Sequence, residues 1–200
     1  WRQAKDPQRE MRITLIGHSM GAIVLNELVR VFPDLPYHDI VYMGAAASIA
    51  DFNRAILPQL RNVKKDVRFY NLMIHPRAEA WELSAYGAVP SGSLLEWIDE
   101  MYEPPKTMLD RTLGKWRNVK VARHIWPDIA ARRSVFKVFG YGEGEPVRHG
   151  DFNNIAMCFW NPTFWTQPDF DWSAWGRPPP LSMGDCYNRL QVQEFEKRML

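Results

Sequence analysis

The sequence predicts an α/β fold built on a parallel sheet with flanking helices, and three observations carry that reading. Short apolar runs at residues 12–16, 40–43, 67–74 and 134–139 have the length and content of buried strands. Segments with helical spacing of apolar residues separate them. Strands that alternate with helices at these intervals fit crossover connections rather than hairpins. Residues 1–165 are expected to form the core, with 83–131 as a helical excursion beside it or over it as a cap. Residues 166–200 are expected to form a Trp- and Pro-rich arm and a terminal helix.

Each element has its own grounds. Ile13, Leu15 and Ile16 make the first strand, and Ala22, Ile23, Leu25, Leu28, Val29 and Phe32 then recur at helical spacing until Pro33. Ile40-Val41-Tyr42-Met43 reads as a buried strand running into Gly44-Ala45-Ala46-Ala47, where small residues let the chain bend. A helix is expected over 48–60, entered past Ser48 or Asp51. The strand at 67–74 is bounded by Lys64-Lys65-Asp66 and by His75-Pro76. Ser93-Leu94-Leu95-Glu96 has the spacing of a capping box, so a helix is expected from Leu94 to Tyr102, stopped by Pro104-Pro105. Thr107 to Asp110 repeats the cap, with Leu109 and Leu113 expected inside and Gly114 as the stop. Ile125-Trp126-Pro127 starts a further turn. After the last strand, Gly140, Gly142 and Gly144 open a loop that delivers His149, and a helix is expected over 153–159. Residues 160–180, with Trp160, Trp165, Trp172 and Trp175, read as an irregular arm ending in extended prolines, and 191–200 as a short helix.

One junction carries chemistry. Between the first strand and the first helix stands Gly17-His18-Ser19-Met20-Gly21. A serine between two glycines at a strand-to-helix turn is the G-x-S-x-G nucleophile elbow. The tight turn strains the serine backbone, the glycines are read as avoiding collisions with strand and helix, and the helix start places N–H groups beside the hydroxyl. With these flanks the motif resembles the elbow of the α/β-hydrolase superfamily of serine esterases and lipases. The resemblance implies Ser19 as nucleophile and the backbone N–H of Met20 as one oxyanion donor. In that family the elbow follows the fifth strand, whereas here it comes soon after Trp1. The expectation is therefore the C-terminal part of such a fold, lacking its early strands.

A serine needs a base, and the base needs an orienting acid, in the chain order Ser, acid, His. Of the five histidines, His18 lies inside the elbow, His38 at the opposite sheet edge and His124 in the excursion. His75 follows the third strand and is a possible polar contact in the site. His149 alone stands in the loop after the last strand, at the strand ends where ligands gather in open α/β sheets. It is the expected base, with Asp151 positioning its loop. The resemblance places the acid after the strand next but one from the elbow. Glu79 lies nearest that position, Glu82 is one helical turn further on, and Asp51 fits members that carry the acid after the preceding strand.

The formal charge of +2, with no basic stripe among aromatics, argues against nucleic acid as a partner. No apolar run reaches the length of a membrane span. Cys158 and Cys186 form neither a metal pattern nor a disulfide framework, so neither a metal nor another cofactor is expected. The expected function is a serine hydrolase acting on a small-molecule carboxylic ester through an acyl-enzyme. The aromatic content leans towards an apolar acyl group, with Trp81, Trp97, Trp160 and Trp165 as candidates to line its pocket and packing as the default reading of each. The alternative is a non-catalytic hydrolase-like binding module, or a fragment of a larger enzyme.

Overall fold

A computed structural model gives the architecture and describes residues 11–82, 92–102, 104–126, 133–140 and 146–153. Its strands are β1 (Ile13–His18), β2 (Tyr37–Met43), β3 (Arg68–Ile74) and β4 (Ser134–Phe139). The helices are α1 (Gly21–Val31), α2 (Ile49–Ala55), α3 (Leu57–Arg61), α4 (Pro76–Trp81), α5 (Leu94–Trp97) and α6 (Trp116–Ala122). The four strands form one sheet in the order β1-β2-β3-β4. Every neighbouring pair is parallel, with Ile16 beside Val41, Val41 beside Tyr70, and Tyr70 beside Val135. The C-terminal ends of all four strands therefore open onto one rim of the sheet.

Side chains alternate across the sheet and divide the core in two. Tyr42, Phe69, Met73, Phe136 and Val138 face Ala22 and Val29 of α1, Phe52 of α2 and Trp116 of α6. Val41, Met43, Tyr70, Leu72 and Phe139 form the opposite face, packed with Ala78 of α4 and with Phe152. The Tyr42 hydroxyl, fully buried in the first layer, donates to Asn26 of α1.

Local chemistry moves several boundaries. Strand β2 begins at Tyr37, ahead of its apolar run, because Asp39 pairs with Arg68 of β3 at 3.2 Å and brings polar positions into the ladder. The helix expected over 48–60 is two helices. Ser48 caps the first by accepting the Asp51 N–H at 3.0 Å, and Pro58, which has no N–H to give, sits in the opening turn of the second. The helix from Leu94 keeps four α-helical residues and then widens into a π-turn over Ile98–Tyr102. Ser93 makes no cap there, and its hydroxyl donates to Glu79 instead. The Thr107 capping box does form, but over a single 3-10 turn at Met108–Asp110. One such turn offers no continuous apolar face, and Leu109, expected inside, stays 40% exposed while Leu113 is buried.

Gly114 ends no helix; its role is close approach. A Cβ there would lie 2.3 Å from the Ala45 nitrogen. The chain over 111–114 runs against 45–49, with Gly114 N–H donating to the Ala45 carbonyl and Leu113 N–H to that of Ala47. Part of the excursion is thereby fastened to the end of β2. The arm, the terminal helix and most of the helix expected over 153–159 lie outside the described residues.

Candidate active site

The turn from β1 into α1 is held in a costly conformation. Ser19 has φ 55°, and it is the one non-glycine residue with positive φ among the described residues. Such a conformation costs on the order of 1–3 kcal/mol and persists only where surrounding bonds impose it. Three bonds do so. The Ser19 N–H donates to the Met43 carbonyl at 3.0 Å, and the Ser19 carbonyl accepts from Ala22 at 3.2 Å and from Ala46 at 3.1 Å.

The two glycines of the elbow have different reasons. A Cβ at Gly17 would lie 2.8 Å from both the Ala22 nitrogen and Leu25 Cδ1, so β1 approaches α1 too closely for a side chain. At Gly21 a Cβ meets nothing within 4 Å, which corrects the expectation that both glycines avoid a collision. Gly21 opens the helix on its free side. Gly17→Ala should therefore prevent folding or lower the melting temperature sharply. Gly21→Ala, which favours helix, should hold or raise stability by up to about 1 kcal/mol. Thermal unfolding of the two variants checks this.

Met20 precedes α1, and its carbonyl accepts the Ile23 N–H at 2.9 Å. Its own N–H has no backbone acceptor among the described residues. It stands at the positive end of an eleven-residue helix, a place suited to a developing anion.

His149 opens a 3-10 turn, His149–Asn153, beyond β4. Asp151 fixes that turn: its Oδ2 accepts the N–H groups of Val147 at 3.0 Å and Arg148 at 2.8 Å. The main chain of His149 is gripped from two sides. Its N–H donates to Glu82 Oε2 at 3.0 Å, and its carbonyl accepts from His18 Nε2 at 3.0 Å. The His18 and His149 rings lie 4.8 Å apart. The His149 ring rests on Gly44, where a Cβ would come within 3.0 Å of Nδ1, so the glycine makes room for the imidazole. His149 Nε2 is buried without a hydrogen-bond partner. Burial, and then the neighbouring His18, push the imidazole down to about 4, so the ring is neutral at neutral pH.

The three carboxylates considered as acid go to three places. Glu82 reaches His149, although its contact is with the main chain. Burial holds its carboxyl above the usual range, and the His149 N–H works against that shift. Glu79 turns the other way: its Oε1 accepts the Ser93 hydroxyl at 3.2 Å, and its Oε2 is buried with no partner. Burial first, and then the nearby Glu96, raise it to about 8. Asp51 sits at the start of α2, where its Oδ2 accepts the Ser48 hydroxyl at 2.9 Å. His75 caps α4 by accepting the Arg77 N–H at 3.2 Å, and burial keeps it neutral, down to about 4. His38 stands towards the other end of β2, 2.7 Å from Asp39.

Glu79 belongs instead to a polar layer that joins the excursion to the sheet. Lys115 Nζ lies 2.7 Å from Glu96 and 3.4 Å from Asp99, and Asn118 donates to Asp99 at 2.8 Å. A buried carboxyl raised from 4.5 to about 8 binds its proton more tightly folded than unfolded. Its contribution is full below pH 4.5 and is lost as pH rises towards 8. Glu79→Gln, which mimics the protonated acid, should gain melting temperature over the parent between pH 5 and pH 8, as unfolding curves at both values would show.

His18 is the site residue that sequence reasoning passed over. The signal was available: in a strand that points Gly17 at α1, the next residue faces the opposite side. That is the side on which the loop after β4 arrives. Of the aromatics expected to line a pocket, Trp97 is half-buried with its ring N–H unpartnered, and Trp160 and Trp165 lie outside the described residues. Among the described residues no group of three or more His, Cys, Asp or Glu gathers as for a metal, and no helix is long and apolar enough to cross a membrane.

Comparison with protein-family models, with curated proteins and with solved structures finds no match for this chain.

Proposed function

We propose that this chain is a serine hydrolase of the α/β-hydrolase kind that cleaves a carboxylic ester through an acyl-enzyme. The observation that carries the proposal is that Ser19, forced to φ 55° at the β1–α1 turn, and a buried neutral His149 meet one rim of the sheet, the His149 loop being tied to His18, the neighbour of Ser19. In this reading Ser19 Oγ attacks the acyl carbonyl carbon and His149 takes the hydroxyl proton. The Met20 N–H meets the oxyanion, worth about 3 kcal/mol for such a donor. The imidazolium then protonates the departing alkoxide, and water, activated by the same ring, releases the acid. Glu82 is the acid we assign to orient His149, since it is the carboxylate that touches that residue.

A second reading, a binding module without catalysis, draws on one observation. Among the described residues no carboxylate bonds the His149 ring itself, only its main chain. A fluorophosphonate probe separates the two. The catalytic reading expects one equivalent of label, located on Ser19 by peptide mass analysis and lost in Ser19→Ala. Folded protein that takes no label leaves the binding module.

A further inference from the structure

Beyond the reacting groups, a cavity of about 390 Å³ opens between α1, the 44–48 loop, α2 and the excursion. It is as large as small-molecule sites commonly are. Two of its walls touch the elbow: Ala46 donates its N–H to the Ser19 carbonyl, and Ile23 donates its N–H to that of Met20. The cavity lies on the sheet face covered by α1 and α2, where Leu25 and Phe52 pack. His149 reaches the same rim from the other face, beside Phe152.

That placement sorts the two halves of an ester. His149 must protonate the leaving alkoxide, so the alcohol side faces the imidazole. The acyl chain then departs from the carbonyl carbon in the other direction, towards the cavity. Ile23, Ala46 and Ile98 give its lining an apolar part, beside the buried polar Asp99 and Thr112, which bond each other. The polar groups that reach solvent are the half-buried Asp51 and the exposed Lys106 and Asp110. Asp51 accepts from Ser48 and has Arg54 at 3.7 Å, and Asp110 accepts from the Thr107 N–H and hydroxyl and from the Lys106 main chain, but a carboxylate has about four acceptor positions, more than these bonds use.

We infer that this cavity is the acyl pocket, and that it takes a short acyl chain with an apolar stem and a hydrogen-bond donor at its tip. This rests on Ser19 being the nucleophile, and it replaces the wholly apolar acyl group that the aromatic content favoured. The test uses p-nitrophenyl acetate, hexanoate and 6-hydroxyhexanoate with the full chain. The hydroxylated ester should exceed hexanoate in kcat/KM by about tenfold, the scale of one hydrogen bond to a charged acceptor. Asp51→Asn combined with Asp110→Asn should reduce that preference, and Ile23→Trp, which fills the cavity, should lower the 6-hydroxyhexanoate-to-acetate ratio at least tenfold. Equal rates on the two hexanoates, or an unchanged ratio in Ile23→Trp, would overturn the inference. A separate arm follows the backbone amides of Ile23 and Ala46 by NMR while 6-hydroxyhexanamide is added to Ser19→Ala. Shifts there, with a parent protein that neither hydrolyses the esters nor takes label on Ser19, would uphold the cavity and remove Ser19 as nucleophile. Labelled Ser19 with no shifts and no preference would remove the cavity alone.

Discussion

Ser19→Ala, His149→Ala and the double variant are expected to lose ester turnover by the same factor, about 10⁴ or more. The equality is the informative part. A nucleophile and its base act as one unit, so removing either leaves the other with nothing to do. Two residues contributing separately would instead give losses that multiply in the double variant. The structure supplies reasons to expect a unit. His18 adjoins Ser19 in sequence and holds the His149 carbonyl, while Gly44, which follows the Met43 partner of the Ser19 N–H, carries the imidazole ring. The pH dependence of the parent gives a second check. With His149 pushed down to about 4, the base stays unprotonated far below the usual histidine value of 6.5. The acid limb of kcat/KM should therefore fall near pH 4, and a limb near 6.5 would point to a different base. Circular dichroism on each variant separates lost chemistry from a lost fold.

What could be read from the sequence was what neighbouring residues decide among themselves. Strand content, the crossover pattern and the elbow are local: an apolar run, two glycines and an amphipathic helix specify them within twenty residues or so. The rim position of His149 was legible because only one histidine follows the last strand. Which carboxylate reaches His149 was not, since Glu79 and Glu82 stand one turn apart and share a side of any helix that contains both. In the structure α4 ends at Trp81, and Glu82 leaves it with extended backbone, φ −63° and ψ 102°. That change aims Glu82 at His149 while Glu79 remains helical and turns to Ser93. The approach of Gly114 to Ala45 is likewise fixed by contact between distant segments.

The same divergence fixes the second large effect. If Glu82 has the role we propose, Glu82→Gln should lower kcat by about a hundredfold or more at pH 7 with little change in KM, since the charge assigned to stabilise the imidazolium during transfer is gone. The glutamine keeps an oxygen that can accept the His149 N–H, so the 3-10 turn at His149–Asn153 should survive. Glu79→Gln should change kcat little at that pH. A carboxyl held up to about 8 by burial already carries its proton at neutral pH and has no charge to lend. Two further readouts keep this from reducing to a structural effect. Fluorophosphonate labelling of Glu82→Gln should slow along with kcat, because both need the base to take the Ser19 proton. Glu82→Asp, a carboxylate on a shorter arm, should recover part of the rate that the amide cannot. A large loss in Glu79→Gln with Glu82→Gln near the parent would return the acid to Glu79, and would require that Glu79 ionise and turn from Ser93 towards the imidazole when substrate binds.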